Sequence, residues 1–163
     1  MMEVLEKLSK SFELIVFSEG VRDMHHKIMN KIDPDNKLFS FKLYKEHCYQ
    51  SEKGIYVKDL RVLNRQHSTT ILVDNSTSSF GFQLNNGVPI IPFTGDPTDT
   101  ELLVLSEYLH CLLDVPDIRV VNKHHFKFQE YVGCGQRRGN RLARLPDCRS
   151  SRGKHGNDGC GVI

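Results

Sequence analysis

Hydrophobic positions in this chain change period several times, and each change marks an element. Val4, Leu5, Leu8 and Phe12 recur at helical spacing, which predicts a short amphipathic helix over the first ten residues, running into a strand. Residues 13–17 (ELIVF) are almost continuously apolar, the pattern of a parallel strand with both faces covered by helices. A helical stretch from Gly20 to Lys31 follows and stops at Asp33-Pro34, because proline cannot extend the ladder. Phe39, Phe41 and Leu43 then alternate with polar residues over Leu38 to Leu43, and Ile55 to Val57 follows a polar turn containing Gly54; the two runs predict a β-hairpin. Lys58 lies just past its second arm. A helical turn over Asp59 to Asn64, a buried strand over Thr70 to Val73, a loop rich in Ser, Asn and Gly, and a strand over Val88 to Ile91 come next.

Thr98 and Glu101 have the spacing of a capping box at a helix start. Leu102, Leu105, Leu109, Leu112 and Leu113 supply the buried stripe of that helix, which is expected to end near Asp114, before Pro116. The alternation of strand and helix points to a layered α/β sheet. From Gly133 onward the pattern collapses into seven glycines and many arginines within 31 residues. The reading is therefore one domain over 1–132 and a basic, disordered tail over 133–163.

Charge sharpens that division. Residues 1–132 carry 15 Lys/Arg against 18 Asp/Glu, and residues 133–163 carry 7 against 2, so a net charge of +2 conceals an acidic body and a basic tail. Basic glycine-rich ends are commonly solvated, so nucleic acid is not an expected partner. Five cysteines, an odd number, indicate a reducing, intracellular setting. No apolar run approaches the roughly 18 residues of a membrane span, and the N-terminus is unlike a signal peptide, so no membrane partner is expected.

Three strand ends or their neighbours carry candidate chemistry. Ser18 closes an apolar strand just before a helix, where its hydroxyl and the adjacent amides suit phosphate oxygens. Lys58 offers a compact positive charge. Asp74 and Asn75, at the end of another buried strand, offer the hard oxygen ligands that Mg²⁺ prefers. Phosphoryl transfer is largely a matter of positioning and neutralising charge on oxygens, and it needs these three kinds of group. In open α/β sheets the C-terminal ends of strands converge on one crevice, so residues far apart in sequence can meet there.

The runs FELIVFS, LFSFKLYKEHC, GIYVKDL, ILVDNS, NNGVPI and GDPTDTELL resemble, in that order, the catalytic domain of phosphatases that act on the RNA polymerase II C-terminal domain, with their small-phosphatase, Dullard-like and NLI-interacting-factor relatives in the haloacid dehalogenase superfamily. The resemblance covers roughly residues 3–122. It implies a three-layer Rossmann-like fold with a parallel sheet and a small β-hairpin insertion. It also implies a protein serine/threonine phosphatase chemistry, Mg²⁺ as cofactor, a phosphoprotein or phosphopeptide substrate and a nuclear setting. By motif position Ser18 looks like the phosphate-binding hydroxyl and Lys58 like the phosphate-neutralising catalytic lysine. Asn75 looks like a side-chain Mg²⁺ ligand, and Asp74 like the carboxylate that supports metal and lysine.

Departures matter as much. Such enzymes attack with an aspartate of a DLDET-like motif, and no such run occurs in these 163 residues. Asp33-Pro34-Asp35 follows the hydroxyl motif and reads as a turn. The nucleophile, the acid/base aspartate and the central first strand are accordingly expected to be missing, which would make the chain truncated and inactive as given and leave two apolar strand edges unpaired. Glu19 stands where relatives carry a small residue; pointing inward it would repel phosphate, whereas facing solvent it would favour a helix N-terminus. Two alternatives are a pseudophosphatase that binds phosphoserine or phosphothreonine peptides, and a domain like the mitochondrial presequence-translocase receptor. Cys134, Cys148, His155 and Cys160 lack the short spacing of a zinc knuckle, and His25-His26 and His124-His125 read as surface histidines. Oligomeric state is left open.

Overall fold

The computed structural model describes residues 1–129 and the backbone of 161–162. Helix α1 (Met2–Leu8) buries Leu8 and leads into strands β1 (Phe12–Glu13) and β2 (Ile15–Phe17), with buried Leu14 between them. Helix α2 (Arg22–Ile32) ends at Asp33, whose buried carboxylate accepts backbone N–H bonds from Lys37, Leu38 and Phe39 at 2.9, 3.1 and 3.2 Å. Burial alone would raise this carboxyl's pKa, but the three bonds hold it below its ordinary value. Strand β3 (Phe41–Leu43) lies parallel to β2, with Ile15 opposite Phe41 and Phe17 opposite Leu43.

That pairing corrects the expected hairpin. The run ending at Leu43 crosses back over α2 as the second strand of a β–α–β unit, so its partner is β2. The hairpin is smaller and later, formed by β4 (Tyr49–Gln50) and β5 (Tyr56–Val57) in antiparallel register. Beyond Lys58, a turn of 3₁₀ helix (Leu60–Leu63) closes on Asn64 at φ 50°. Strand β6 (Leu72–Asp74) then pairs in parallel with β7 (Gly87–Pro89), Asp74 opposite Pro89.

Helices α3 (Glu101–Cys111) and α4 (Ile118–Phe126) complete the described domain, and β8 (Gly161–Val162) pairs in parallel with β1. The capping box is not formed. Asp96 Oδ1 accepts from both the N–H and the hydroxyl of Thr98, and Asp99 Oδ1 accepts from the Glu101 N–H at 2.8 Å. Carboxylates, the stronger acceptors, take over the local bonding, so α3 starts at Glu101 with Thr100 as its cap. Helix α4, which the hydrophobic pattern did not predict, starts where the Asp117 carboxylate accepts from the Arg119 N–H.

The main core joins Leu8, Phe12, Leu14, Ile71 and Val88 to Leu105, Tyr108, Leu109, Leu112, Ile118 and Phe126. Leu60, Leu72 and Phe80 form a second, smaller cluster. Ile71 and Val73 pack with the first cluster and Leu72 with the second, so β6 carries apolar cover on both faces. The strand ending at Phe17 is less covered than its composition suggests, since Ile15, Val16 and Phe17 are half-buried. The chain is mixed α/β, with three parallel pairs among the described residues, β1–β8, β2–β3 and β6–β7, none of them hydrogen-bonded to another. The tail reading for 133–163 and the cysteine set within it lie outside the described residues, save β8.

Candidate functional site

Lys58 leaves β5 and points inward. Its ammonium donates to Asp74 Oδ2 at the end of β6, and both residues are buried, at 7% and 8% exposure. Its backbone N–H is anchored on Ser79 O at 3.1 Å. The second oxygen of Asp74, Oδ1, accepts the Ser76 N–H at 2.7 Å, which turns the chain sharply after the strand. Among the described residues Asp74 alone accepts from this ammonium, which leaves two of its three protons for other acceptors. The pair is therefore a fixed cation at a strand end, held by a carboxylate and a main-chain anchor.

Ser18 ends β2, its N–H donating to Leu43 O at 2.9 Å as the last rung of the β2–β3 ladder. Its Oγ accepts from the Gly20 N–H at 3.1 Å and lies 2.8 Å from His25 Nδ1. The Ser18 N–H is thus spent in the ladder and the Gly20 N–H inside the turn, which leaves the hydroxyl as the polar group of Ser18 with capacity for a further partner. Glu19 is exposed, as one of its two expectations had it, but its Oε1 is tied by the Ser79 hydroxyl at 2.9 Å. Ser79 thereby links the Ser18 turn to Lys58 through one residue.

Cys48 completes the neighbourhood, its thiol 3.9 Å from Ser18 O and 4.0 Å from Tyr44 O. Burial pushes the Cys48 thiol up from its ordinary value; the positive charge of Lys58 opposes this, while the negative charges of Glu19, Asp74 and Glu46 add to it. One sulfur thus lies within electrostatic reach of Lys58, Glu19 and Asp74, near the ends of β2, β5 and β6. Sequence reasoning missed three members of this set: His25, Cys48 and Ser79. His25 had a faint signal, since a helical side chain leans toward the helix N-terminus and this one follows a glycine that leaves room for its ring.

Asn75 follows Asp74 and is exposed. Asp74 and Asn75 would bring two side chains to a Mg²⁺ site, with water and phosphate oxygens completing the octahedral shell; both oxygens of Asp74 are hydrogen-bonded, to Lys58 and Ser76. Among the described residues no group of three or more His, Cys, Asp or Glu side chains is placed to hold a metal ion.

In sequence the chain is similar to small phosphatases of the C-terminal-domain type. It is 39% identical over 130 residues to CTD small phosphatase-like protein 2 of Dictyostelium discoideum, covering 80% of this chain and 23% of that protein. CTD small phosphatase-like protein 3 of Caenorhabditis elegans is 34% identical over 129 residues, 78% of this chain and 45% of the relative. The mitochondrial import inner membrane translocase subunit TIM50 of Candida glabrata is 32% identical over 125 residues, 76% of this chain and 25% of that protein. The family profile of NLI interacting factor-like phosphatases matches residues 1–119, and the chain belongs to that family, within the haloacid dehalogenase superfamily. It spans less than half the length of these three relatives. Among the described residues no helix is long and apolar enough to cross a membrane.

Proposed function

We propose that this chain carries the phosphate-holding half of a protein serine/threonine phosphatase domain and that, as a 163-residue polypeptide, it binds phosphoserine or phosphothreonine segments without hydrolysing them. The observation that carries the reading is the buried Lys58–Asp74 pair, joined through Ser79 to the Ser18 turn. In this reading Ser18 and Lys58 hold phosphate oxygens, Asp74 keeps Lys58 in place, and Asn75 stands at the edge of an incomplete metal site. The three-layer arrangement is part of the same proposal, with β2 and β6 as the flanks of a central strand; their lack of mutual pairing supports it. The resemblance to polymerase-directed phosphatases also supports a nuclear setting.

Binding of a phosphoserine peptide and its unphosphorylated twin, followed by fluorescence anisotropy at two salt concentrations, tests the reading. The phosphorylated peptide is expected to bind at least about 10-fold tighter, with salt-sensitive affinity, and Ser18→Ala to erase most of that preference. Lys58→Ala should abolish it, with melting curves confirming a folded chain. Equal affinity for the two peptides overturns the binding claim. Mg²⁺-dependent phosphate release that disappears in Asp74→Asn overturns the claim of inactivity. The 32% identity to TIM50 favours one rival, a translocase-receptor type of domain, in which peptide binding would not depend on phosphate.

A further inference from the structure

We propose that His25 is a positioning residue that sets the polarity of the Ser18 hydroxyl, making tetrahedral-dianion binding at this turn proton-controlled. The inference rests on the reading of Ser18 as a phosphate-holding hydroxyl. A serine hydroxyl has one proton to give and two lone pairs to receive. The Gly20 N–H occupies one lone pair at 3.1 Å. The other close partner is His25 Nδ1 at 2.8 Å.

In the neutral tautomer that carries its proton on Nε2, Nδ1 is bare, the Ser18 proton is drawn to it, and the hydroxyl faces an incoming anion with a lone pair. With Nδ1 protonated, the imidazole donates instead, both lone pairs are filled, and the only remaining capacity of the hydroxyl is its O–H. The same side chain then becomes a donor to a phosphate oxygen, next to an added positive charge. The ring lies directly over Gly20, where the absence of a side chain makes room for it: a Cβ there would fall 1.8 Å from His25 Nε2 and 2.1 Å from Cδ2.

The charged and titratable groups around the turn are few. On α2 they are Arg22, Asp23 and His26, of which Arg22 pairs with Glu46 at 2.6 Å and His26 Nδ1 lies 3.4 Å from Tyr44 Oη. From the segment after β3 come Lys45, whose backbone N–H donates to Gly20 O, together with Glu46 and Cys48, which meets Ser18 at its carbonyl. Glu19 is turned to Ser79, and beyond Cys48 lie Lys58 and Asp74, paired with each other. Among these groups His25 is the one that hydrogen-bonds the Ser18 hydroxyl.

Sulfate is the probe, because it is a tetrahedral dianion whose charge stays fixed where imidazoles titrate. The full chain is titrated with sulfate at constant ionic strength across pH 5.5 to 8, followed by NMR amide shifts. The wild-type affinity is expected to rise about 5- to 10-fold toward low pH. His25→Ala should be weak and flat across the range, and His25→Asn, whose amide N–H stands in for a permanently protonated Nδ1, flat and near the tight limit. His26→Asn should keep the wild-type profile. An unchanged pH slope in His25→Asn, or in a folded His25→Ala, overturns the proposal while leaving the Ser18 site standing. Sulfate binding that Ser18→Ala leaves unaltered at every pH overturns the underlying site reading, and the proposal with it.

Discussion

The Lys58–Asp74 pair and the Ser18–His25 pair both sit at strand ends, linked through Ser79, yet they are held by opposite means. The first is buried between β5 and β6, beside the cluster of Leu60, Leu72 and Phe80. The second depends on the first turns of α2, a helix that buries Met29 alone and exposes Met24 at 71% and Ile28 at 53%, with its cap Val21 exposed at 55%. A fixed cation in a dry setting is suited to neutralising charge without reorganisation. A half-buried hydroxyl whose partner rides on a lightly packed helix is suited to changing that partner. Rigidity and responsiveness are thus divided between the two halves of one site.

The largest effect should come from the rigid half. Asp74→Ala strands a buried ammonium, and the expected loss is about 3–5 kcal/mol of unfolding free energy, read by urea denaturation. Ser18→Ala, made in the other half, should lose no more than about 1 kcal/mol. If the two variants destabilise equally, the contrast between the halves is broken.

A smaller effect concerns acid. The Arg61 guanidinium beside Asp59 lowers that carboxyl to about 2, against partial burial, with help from the Arg61 N–H and the Gln83 side chain. A depressed carboxyl stabilises the fold above its unfolded value and loses that contribution as pH falls through the folded one. Stability next to Lys58 should therefore decline between about pH 4 and pH 2. Because Arg61 is two-thirds exposed, the effect is screened and is expected to be about 1 kcal/mol. Asp59→Asn should flatten that part of the pH–stability curve, and an unchanged curve would show that the anchor is not Asp59.

What the sequence made legible follows the same division. The stripe of Leu105, Leu109 and Leu112 was readable because a helix expresses its buried face in local periodicity. Lys58 and Asp74 were readable because each borders a short apolar strand, and the structure places both at one buried point. The partner of the Leu38–Leu43 run was not readable, since strand pairing depends on how the chain returns over α2, and alternation alone does not choose between a hairpin and a β–α–β crossover. Helix α4 was hidden by the brevity of its apolar stripe between Asp117 and Lys127. His25 was hidden because its role depends on the distance to one hydroxyl, and adjacent histidines on a helix ordinarily diverge to solvent.

The smallest effect tests the responsive half for what it does not need. Met24 and Ile28 lie on the exposed side of α2, one helical turn apart, and contribute no burial to either cluster. Replacing both with serine should shift unfolding free energy by no more than about 0.5 kcal/mol per site, chiefly through helix propensity. Gly20→Ala, which adds one methyl where the His25 ring now lies, should leave stability nearly as unaffected once that ring swings away, and in doing so it separates Nδ1 from the Ser18 hydroxyl. The pair of variants therefore separates packing from positioning. Both should melt close to wild type, and Gly20→Ala alone should flatten the pH dependence of sulfate binding. If the serine variant flattens it as well, α2 acts as a whole, and His25 is not the residue that sets Ser18.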